Sequence, residues 1–357
     1  MEPINVLLSG TGSMGAEIAK TINARDDMHV LPVAFTGEDI EDLMWYPHQN
    51  KGFSYVLLKP DKFDGALNNL VNKQGIKNIV AVEFGTPGTN NTELYAKHNI
   101  PWVSGTTGVD KSALKGNGVY DVNMALPLIA ITHGLEALAE DASFKDYLKG
   151  FTGDFPESHQ LYKKDPSGTR KKWAASLEKL GASLTLSTPE RLEPRGHGYH
   201  KVFMQSEEHT VKPLELWAAL IEYAADNLKE AFSGFNASVK STSNIDGRPL
   251  YRVLAEKQFD LGILNVGPHA EDVSYADTQD ARLANLYLTI LGGGADIEFK
   301  SNTHKDRGTN MGFETRVDGR GIYMPGIMAA VKHVHEQVYE KGNNDMRVQS
   351  MMPVVKK

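Results

Sequence analysis

The stretch Ile4-Asn-Val-Leu-Leu-Ser-Gly10-Thr-Gly12-Ser-Met-Gly15 decides the fold of this chain. An apolar run leads directly into a Gly-x-Gly-x-x-Gly loop, and Ile18, Ala19 and Ile22 continue at helical spacing. This order of strand, loop and helix is typical of a dinucleotide site. The glycines allow a tight turn, a close approach of the pyrophosphate and close packing of the helix on the strand. A glycine turn in another kind of α/β unit is the alternative. The predicted cofactor contacts are Gly10, Thr11, Gly12, Ser13, Met14 and Gly15.

The end of the second predicted strand, 29–35, bears on the choice of cofactor. In NAD-binding proteins an acidic residue at this place holds the ribose 2′-hydroxyl. Here Phe35-Thr36-Gly37 occupies the place, and Glu38 and Asp39 come slightly later. No arginine is placed to bind a 2′-phosphate either. The preference between NADPH and NADH is therefore open, with NADPH favoured, and Phe35 and Thr36 are predicted cofactor contacts.

Further strands and glycine loops alternate with helices along the first third of the chain. The pieces, in order, are a strand at 78–84, the loop Gly85-Thr-Pro-Gly88, a helix at 92–98, a strand at 102–104, the loop Gly105-Thr-Thr-Gly108 and a strand at 119–123. This alternation predicts an α/β fold with a Rossmann-type doubly wound parallel sheet. Loops at the carboxyl ends of its strands would face the dinucleotide.

After residue 125 the pattern changes to short strands and longer amphipathic helices. The predicted helices are 126–139, 169–180, 213–232, one near 280–289, and 327–339, and the predicted strands are 153–159, 183–187, 199–205 and 311–317. Helix 213–232 has a full apolar face that includes Trp217, so its own chain or a partner must cover it. Gly292-Gly-Gly294 is predicted to be a turn.

A second informative stretch is Glu157-Ser-His-Gln-Leu-Tyr-Lys-Lys-Asp-Pro-Ser-Gly-Thr169. It contains an imidazole, two lysines and a carboxylate, and it turns into the predicted helix 169–180. The start of that helix presents backbone N–H groups and the positive end of its dipole, and Arg170, Lys171 and Lys172 crowd the same turn. A bound carboxylate or phosphate beside a proton donor would explain this arrangement. An ordinary capped surface helix behind a charged loop is the alternative.

The composition limits the class of protein and of partner. The chain has 357 residues, 41% hydrophobic and 23% charged, which is typical of a globular protein with two domains. A formal net charge of −7 argues against a nucleic-acid or membrane-surface partner. With no cysteine and no histidine pair at metal-binding spacing, we predict no metal. Without a signal peptide or a membrane-spanning stretch we expect a cytoplasmic protein, and plastid location after removal of a transit peptide stays open.

Five motifs occur in a fixed order along the chain. They are Gly10 to Gly15, Glu83-Phe-Gly-Thr-Pro87, Gly105-Thr-Thr-Gly108, the stretch 157–169, and Gly319-Arg-Gly-Ile-Tyr-x-x-Gly326. Together they resemble the 4-hydroxy-tetrahydrodipicolinate reductase (dihydrodipicolinate reductase) family, and in places its plant-type branch. The resemblance covers residues 4–206 and 310–341. The fourth motif is long and specific, whereas the others are individually modest.

What the resemblance implies is a hydride transfer from NADPH or NADH to a cyclic, unsaturated dicarboxylate in lysine and diaminopimelate biosynthesis. His159 would be the proton donor, and Lys163 would pair with substrate charge. The implied substrate contacts are Thr107, Gln160, Ser167, Gly168 and Thr169, and the further cofactor contacts are Phe84, Gly85, Gly105, Thr106, Thr107, Asn123 and Met124. We expect the small-molecule substrate as one partner and further copies of the chain, in a dimer or tetramer, as the other.

The resemblance also implies a discontinuous division, because the family's last helix packs on its nucleotide domain. The expected domains are a dinucleotide-binding domain, 1–125 with 325–357, and an α+β substrate-binding and oligomerisation domain, 126–324. Residues 207–307 have no counterpart in a compact family member and are interpreted as an insertion. The chain departs from the family in three other places. Gln160 replaces a second histidine of bacterial relatives, Glu83-Phe84-Gly85 replaces Asp-Phe-Thr, and Thr315 stands where a histidine is expected.

Three functions are compatible with these features. The first is the lysine-pathway reductase, which we expect. The second is a reductase of another cyclic imine or enamine dicarboxylate in a specialised pathway. The third is a non-catalytic nucleotide-binding module of the same fold. His159 and Lys163 favour a reductase, because a binding module needs neither a proton donor nor an orienting cation.

Overall fold

A computed structural model describes residues 2–47, 53–161, 167–192, 197–208, 210, 212–227, 236–241, 244–245, 248–249, 285–292, 295–304, 308–343 and 346–355. The chain divides into two compact units. Residues 1–125 and 323–357 form the first, and residues 126–322 form the second.

The first unit is built on a sheet of eight described strands. These are β1 (Ile4–Ser9), β2 (Met28–Phe35), β3 (Met44–Trp45), β4 (Tyr55–Leu58), β5 (Ile79–Glu83), β6 (Trp102–Ser104), β7 (Gly118–Tyr120) and β19 (Val348–Gln349). Their order is β19-β7-β6-β5-β1-β2-β4-β3, and only β3 runs antiparallel to its neighbour among these described strands. The winding direction reverses between β1 and β5, and such a switch point is where open α/β sheets bind ligands. The predicted Rossmann-type α/β fold is confirmed.

Helices cover both faces of this parallel sheet. They are α1 (Ser13–Asn23), α2 (Pro60–Asn68), α3 (Thr92–Lys97), α7 (Met324–His335) and α8 (Met352–Val355), and π-helical turns extend α2 over Asn69–Lys73 and α7 over Glu336–Glu340. Every residue of β5 is buried, as expected for a central strand with helices on both sides. Helix α7 begins with Pro325 in its first turn, where a missing N–H leaves no hydrogen bond unmade.

The second unit contains a larger mixed sheet. The described strands of the second unit are β8 (Thr152–Asp154), β9 (Glu157–Gln160), β10 (Ser183–Thr185), β11 (Glu190–Leu192), β12 (His197–Ser206), β13 (Asn236–Ser241), β14 (Asn244–Ile245), β15 (Arg248–Pro249), β16 (Asn285–Gly292), β17 (Ala295–His304) and β18 (Gly308–Asp318), and all except β14 and β15 belong to this sheet. The main path is β10-β8-β12-β18-β17-β16-β13, while β9 pairs with both β12 and β11. Strands β14 and β15 form a separate antiparallel pair.

Three long helices accompany this sheet, namely α4 (Leu126–Glu140), α5 (Gly168–Lys179) and α6 (Lys212–Asn227), and both α5 and α6 pack on α4. The buried Trp173 of α5 donates a hydrogen bond to Thr132 Oγ1 at 2.8 Å and packs edge-on against Phe313, with ring centroids 4.6 Å apart. Trp217 of α6 is also buried near Phe313. The second unit therefore covers this part of the α6 face, as the sequence predicts, and residues 228–232 lie outside the described residues.

The region interpreted as an insertion continues the sheet of the second unit. Strands β17, β16 and β13 follow β18 in antiparallel order. The helix predicted near 280–289 is wrong over 285–289, because these residues belong to β16, which pairs with β17 and, from Leu286 onward, also with β13. Pairing and packing against neighbours outweigh the weak local helix propensity of this segment. Of the predicted turn Gly292-Gly-Gly294, Gly292 ends β16 and pairs with Ala295 of β17, while residues 293–294 and residues 280–284 lie outside the described residues.

Candidate active site

The glycine loop of the first unit has the geometry that its sequence predicts. Gly10 has φ +106°, and a Cβ there would lie 2.2 Å from the Phe84 carbonyl oxygen. A Cβ at Gly15 would lie 2.0 Å from the carbonyl oxygen of Gly10. In contrast, no described atom lies within 4 Å of a Cβ built at Gly12. The first and third glycines are thus required by the protein's own packing, whereas the second leaves space into which a pyrophosphate fits.

The carboxyl end of β2 lies beside this loop. The hydroxyl oxygens of Thr11 and Thr36 are 3.1 Å apart, and the Gly10 N–H donates to the Phe35 carbonyl oxygen. The Phe35 ring is completely buried and stacks on Phe63, with centroids 3.9 Å apart. The structure therefore places the Phe35 ring in the core and not at the cofactor loop. Thr36 is the residue of this pair whose side chain reaches the loop.

The loops after β5 and β6 also meet at this edge of the sheet. A Cβ on Gly105 would lie 2.1 Å from Cε1 of Phe84, so the glycine makes room for this ring. The Gly85 N–H donates to Thr106 Oγ1 at 3.1 Å, and the Tyr120 hydroxyl donates to the Thr106 carbonyl oxygen. Phe84, Gly85, Gly105 and Thr106 therefore form one connected group, and Thr107 follows it as an exposed residue.

Asn123 and Met124 follow β7 and differ in surroundings. The Asn123 side-chain oxygen accepts a hydrogen bond from the Ala125 N–H at 3.1 Å, just before α4 begins. The Met124 side chain is 1% exposed. Its predicted contact with a cofactor is therefore limited to its backbone, because the side chain is used in packing.

Glu83, at the end of β5, is a buried carboxylate that the sequence pattern does not single out as a cofactor contact. It accepts hydrogen bonds from Asn91 Nδ2 at 2.6 Å and from the Tyr95 hydroxyl at 3.0 Å, and Ser9 Oγ lies 3.5 Å away. Burial raises the pKa of Glu83, and the hydrogen bonds from Asn91 and Tyr95 oppose this shift. Glu83 therefore ties the end of β5, just before Phe84 and Gly85, to the end of β1 and to α3.

We expect Glu83→Gln to change how stability depends on pH. The raised pKa in the folded state means that this group stabilises the fold most at low pH, and that the contribution is lost as pH rises through the raised pKa. Glutamine does not titrate, so it removes this dependence. The melting temperature of the variant, relative to that of the wild type, should therefore rise as pH increases from about 4 to about 7. Melting curves across this range test the sign. A difference that moves in the wild type's favour as pH rises would contradict it.

In the second unit the stretch around His159 forms a separate polar cluster. His159 lies on β9 opposite Gly198 of β12, and a Cβ on that glycine would be 3.5 Å from the imidazole. The His159 ring meets the His200 ring edge-on, with centroids 5.0 Å apart. Its Nε2 lies 3.9 Å from the Glu157 carboxylate. A buried strand pair thus holds an imidazole beside a carboxylate and a second imidazole.

Glu157 organises the start of α5. Its two carboxylate oxygens accept from the Ser167 N–H at 3.2 and 3.1 Å, and Arg170 Nε lies 3.2 Å from Oε2. Arg170 is itself buried and donates to the carbonyl oxygens of Phe155 and Ser187. The anion expected at this helix start is therefore in part the protein's own carboxylate. This arrangement accounts for Arg170 without an external ligand, and it uses the Ser167 N–H.

His200 is a site residue that sequence reasoning missed. Its Nε2 lies 2.8 Å from Ser167 Oγ, and its Nδ1 lies 3.4 Å from Thr315 Oγ1. Strand pairing places it between Glu157 of β9 and Thr315 of β18. The available signal was Thr315, which stands where the family has a histidine. Thr315 indicated a polar position on β18, but the sequence did not show that His200 is its partner on β12.

The ligand atoms of Glu157, His159 and His200 lie within 4.8 Å of one another, close enough in principle to hold a metal ion. Arg170 and Arg191 lie 3.2 and 3.8 Å from the Glu157 carboxylate. Two guanidinium groups at this distance oppose the binding of a divalent cation. The cluster therefore fits a buried ion-pair network better than a metal site, and the absence of a metal stays a prediction.

Two predicted site residues are described in part or not at all. The backbone of Gln160 belongs to β9, but its side chain lies outside the described residues, as does the whole of Lys163. Gly168 and Thr169 form the first turn of α5, directly after Ser167.

Comparisons with known proteins point to one family. Residues 4–117 match the family model described as "Dihydrodipicolinate reductase, N-terminus". The chain is 27% identical over 233 residues to the probable 4-hydroxy-tetrahydrodipicolinate reductase 2, chloroplastic, of Oryza sativa subsp. japonica, which spans 58% of this chain and 69% of that protein. It is 26% identical over 235 residues to the chloroplastic reductase 1 of Arabidopsis thaliana, over 58% and 65% of the two chains.

A solved structure of aspartate semialdehyde dehydrogenase II from Vibrio cholerae aligns over 95% of this chain and all of that one. The TM-score is 0.39 at 11% identity, which is too low to show a shared fold.

In the part of the chain that the structure describes, none of the helices has both the length and the hydrophobicity needed to cross a membrane.

Proposed function

Since the chain belongs to the dihydrodipicolinate reductase family, which its residues 4–117 and its plant relatives show, we propose that it reduces 4-hydroxy-tetrahydrodipicolinate to tetrahydrodipicolinate. The proposal places the reaction in lysine and diaminopimelate biosynthesis. The observation that carries it is that the chain has both a dinucleotide-type glycine loop, in the first unit, and a buried imidazole, His159, close to the start of α5, in the second.

The first unit would hold the nicotinamide cofactor. The open space at Gly12 accommodates the pyrophosphate, and Thr11 and Thr36 offer hydroxyls next to it. Phe84, Gly85, Gly105 and Thr106 would form the wall against the nicotinamide ring, supported from below by Glu83. When bound, NADPH or NADH supplies a hydride.

The second unit would hold the substrate and supply the proton. His159 is an imidazole, and an imidazole ordinarily titrates near pH 6.5, which suits donation of a proton at neutral pH. The Ser167 hydroxyl and the first turn of α5, at Gly168 and Thr169, would bind a substrate carboxylate. Lys163 would pair with the remaining substrate charge and with charge that develops during reaction. The role of Lys163 and the implied substrate contact of Gln160 stay predictions.

A coupled assay tests the proposal. The purified chain is mixed with NADPH and with 4-hydroxy-tetrahydrodipicolinate generated enzymatically, and the loss of NADPH absorbance is followed. Turnover that depends on this substrate supports the proposal. Turnover only with another cyclic imine or enamine dicarboxylate would move the chain to a specialised pathway. Binding of NADPH without turnover of any of these compounds would show a nucleotide-binding module.

We expect NADPH and NADH to be used within about tenfold of one another in kcat/KM, which is about 1.4 kcal/mol of transition-state binding. An acidic residue at the end of β2 would favour NADH, and an arginine there would favour NADPH. This chain has hydroxyls and backbone groups at that place, which favour neither cofactor strongly. Steady-state kinetics with both cofactors test this. A thousandfold preference in either direction would contradict it.

We also propose that the protein is a homo-oligomer, either a dimer or a tetramer. Light scattering coupled to gel filtration measures the mass in solution. A monomer at micromolar concentration would contradict this proposal.

A further inference from the structure

His200 reaches the proposed carboxylate site through the side chain of Ser167. Its Nε2 lies 2.8 Å from Ser167 Oγ, its ring packs edge-on against His159 and Trp173, and both histidine and serine are buried. Glu157, Arg170 and Arg191 are the charged groups of the same cluster. This placement ties His200 to the first residue of the helix that would bind the substrate.

Ser167 has limited means of binding an anion. It precedes α5 as the N-cap residue, yet among the described residues its side chain makes no capping hydrogen bond to that helix. Serines at this position ordinarily accept from the N–H groups of the first turn. Its own N–H donates to Glu157. A ligand carboxylate can therefore receive only one further proton from Ser167, the hydroxyl proton.

The direction of the hydrogen bond between Ser167 and His200 decides whether that proton reaches the ligand. If Ser167 donates to Nε2, its oxygen turns lone pairs toward the carboxylate, and the two repel each other. If Nε2–H donates to Ser167 Oγ, the hydroxyl proton is directed to the ligand. The second arrangement requires a proton on Nε2, and Nδ1 can then accept from the Thr315 hydroxyl at 3.4 Å.

We propose that His200 is a positioning residue, which donates its Nε2–H to Ser167 Oγ and so turns the serine hydroxyl proton toward a carboxylate of the substrate. The inference rests on the proposed function, because it takes the start of α5 as the carboxylate site. It adds a residue that acts on substrate binding through Ser167 and does not itself touch the substrate.

The test is a double-variant cycle with 2,6-pyridinedicarboxylate as the ligand, measured by calorimetry in the presence of NADPH. Ser167→Ala and His200→Phe should each raise Kd by about tenfold, which is the low end for a hydrogen bond to a charged group. Phenylalanine keeps a ring beside His159 and Trp173 and removes both ring nitrogens, the donor to Ser167 and the acceptor for Thr315. In the Ser167→Ala background, His200→Phe should change Kd by less than about twofold, because the hydroxyl that it orients is gone.

Three further measurements separate this role from a structural one. His200→Gln, whose amide can donate to Ser167, should bind within about threefold of the wild type. In steady-state kinetics, His200→Phe should raise KM with little change in kcat. Nitrogen NMR of His200 in the wild-type protein should find the ring proton on Nε2 in the ligand complex. This measurement needs no variant, so a variant that fails to fold does not affect it.

The outcomes distinguish the two proposals. If the wild type binds no dicarboxylate, the proposed function fails and this inference fails with it. If the wild type binds and Ser167→Ala weakens binding, but His200→Phe acts equally in both backgrounds, only the role of His200 is overturned. A His200 proton on Nδ1 in the ligand complex overturns it as well.

Discussion

Replacing His159 by glutamine should lower kcat by about 10² to 10⁴, the range for loss of a positioned general acid. The imidazole lies on a buried strand pair, with its Nε2 3.9 Å from Glu157 and its ring against His200, so it is held in one place as a proton donor should be. The dissociation constant for NADPH should not change, because the proposed cofactor residues belong to the first unit. Pre-steady-state and steady-state kinetics measure kcat, and fluorescence titration measures cofactor binding.

His133→Gln is the matched control for this experiment. His133 lies on α4 in the same unit and pairs with Glu136 at 3.0 Å, so the same chemical change occurs outside the polar cluster. It should leave kcat within about twofold of the wild type, since His133 belongs neither to the polar cluster nor to the proposed substrate contacts. An His159→Gln protein that is folded and turns over normally would show that another group donates the proton.

Removing the Glu157 carboxylate should have the largest effect on stability. Arg170 is 5% exposed and lies 3.2 Å from this carboxylate, so Glu157→Ala leaves a buried guanidinium without its counter-charge. Breaking such a pair from one side costs about 3–5 kcal/mol of unfolding free energy. The Ser167 N–H loses its acceptor in the same step. Urea unfolding measures the loss of unfolding free energy, and hydrogen exchange shows whether the loss is concentrated in β9 and α5.

A second substitution separates charge from packing in that experiment. Glu157→Ala with Arg170→Met removes both charges, and most of the lost stability should return, because no buried charge is left unpaired. Glu136→Ala removes an exposed carboxylate 4.0 Å from Lys172 and should cost at most about 1 kcal/mol. Equal losses for Glu157→Ala and Glu136→Ala would show that the buried pair contributes no more than a surface pair.

The fold of the first unit and part of the polar cluster around His159 can be predicted from the sequence, because their residues are close together along the chain. A glycine loop, the strand before it and the helix after it are contiguous, so spacing alone reports their geometry. The same holds for the start of α5 after Ser167. His200 belongs to a different kind of contact. It reaches Ser167 only because β12 pairs with β9 and β18, and strand register between distant segments is not written in local spacing.

Glu157 and Arg170 illustrate the same limit within one motif. Both lie in or next to the stretch 157–169, where the charges near the helix start predict an external anion. The structure turns Arg170 inward to a carboxylate at the other end of the motif. Phe35 shows the converse, because its position at the end of β2 predicts a cofactor contact while its ring packs on Phe63. Sequence position fixed where each backbone lies, but not which way the side chain turns.

The strand pair β12–β18 also shapes how this chain can fold and vary. Ser206 and Thr309 are register partners, and Thr309 Oγ1 exchanges hydrogen bonds with the backbone of Thr210, so the two ends of the long interposed segment meet at a closed stem. Doubling the length of a closed loop costs only about 0.6 kcal/mol of closure entropy. Thermodynamically, the stem can therefore carry segments of very different length. The cost is kinetic, since the central strands of the second unit must find each other across a large separation in sequence, which slows folding.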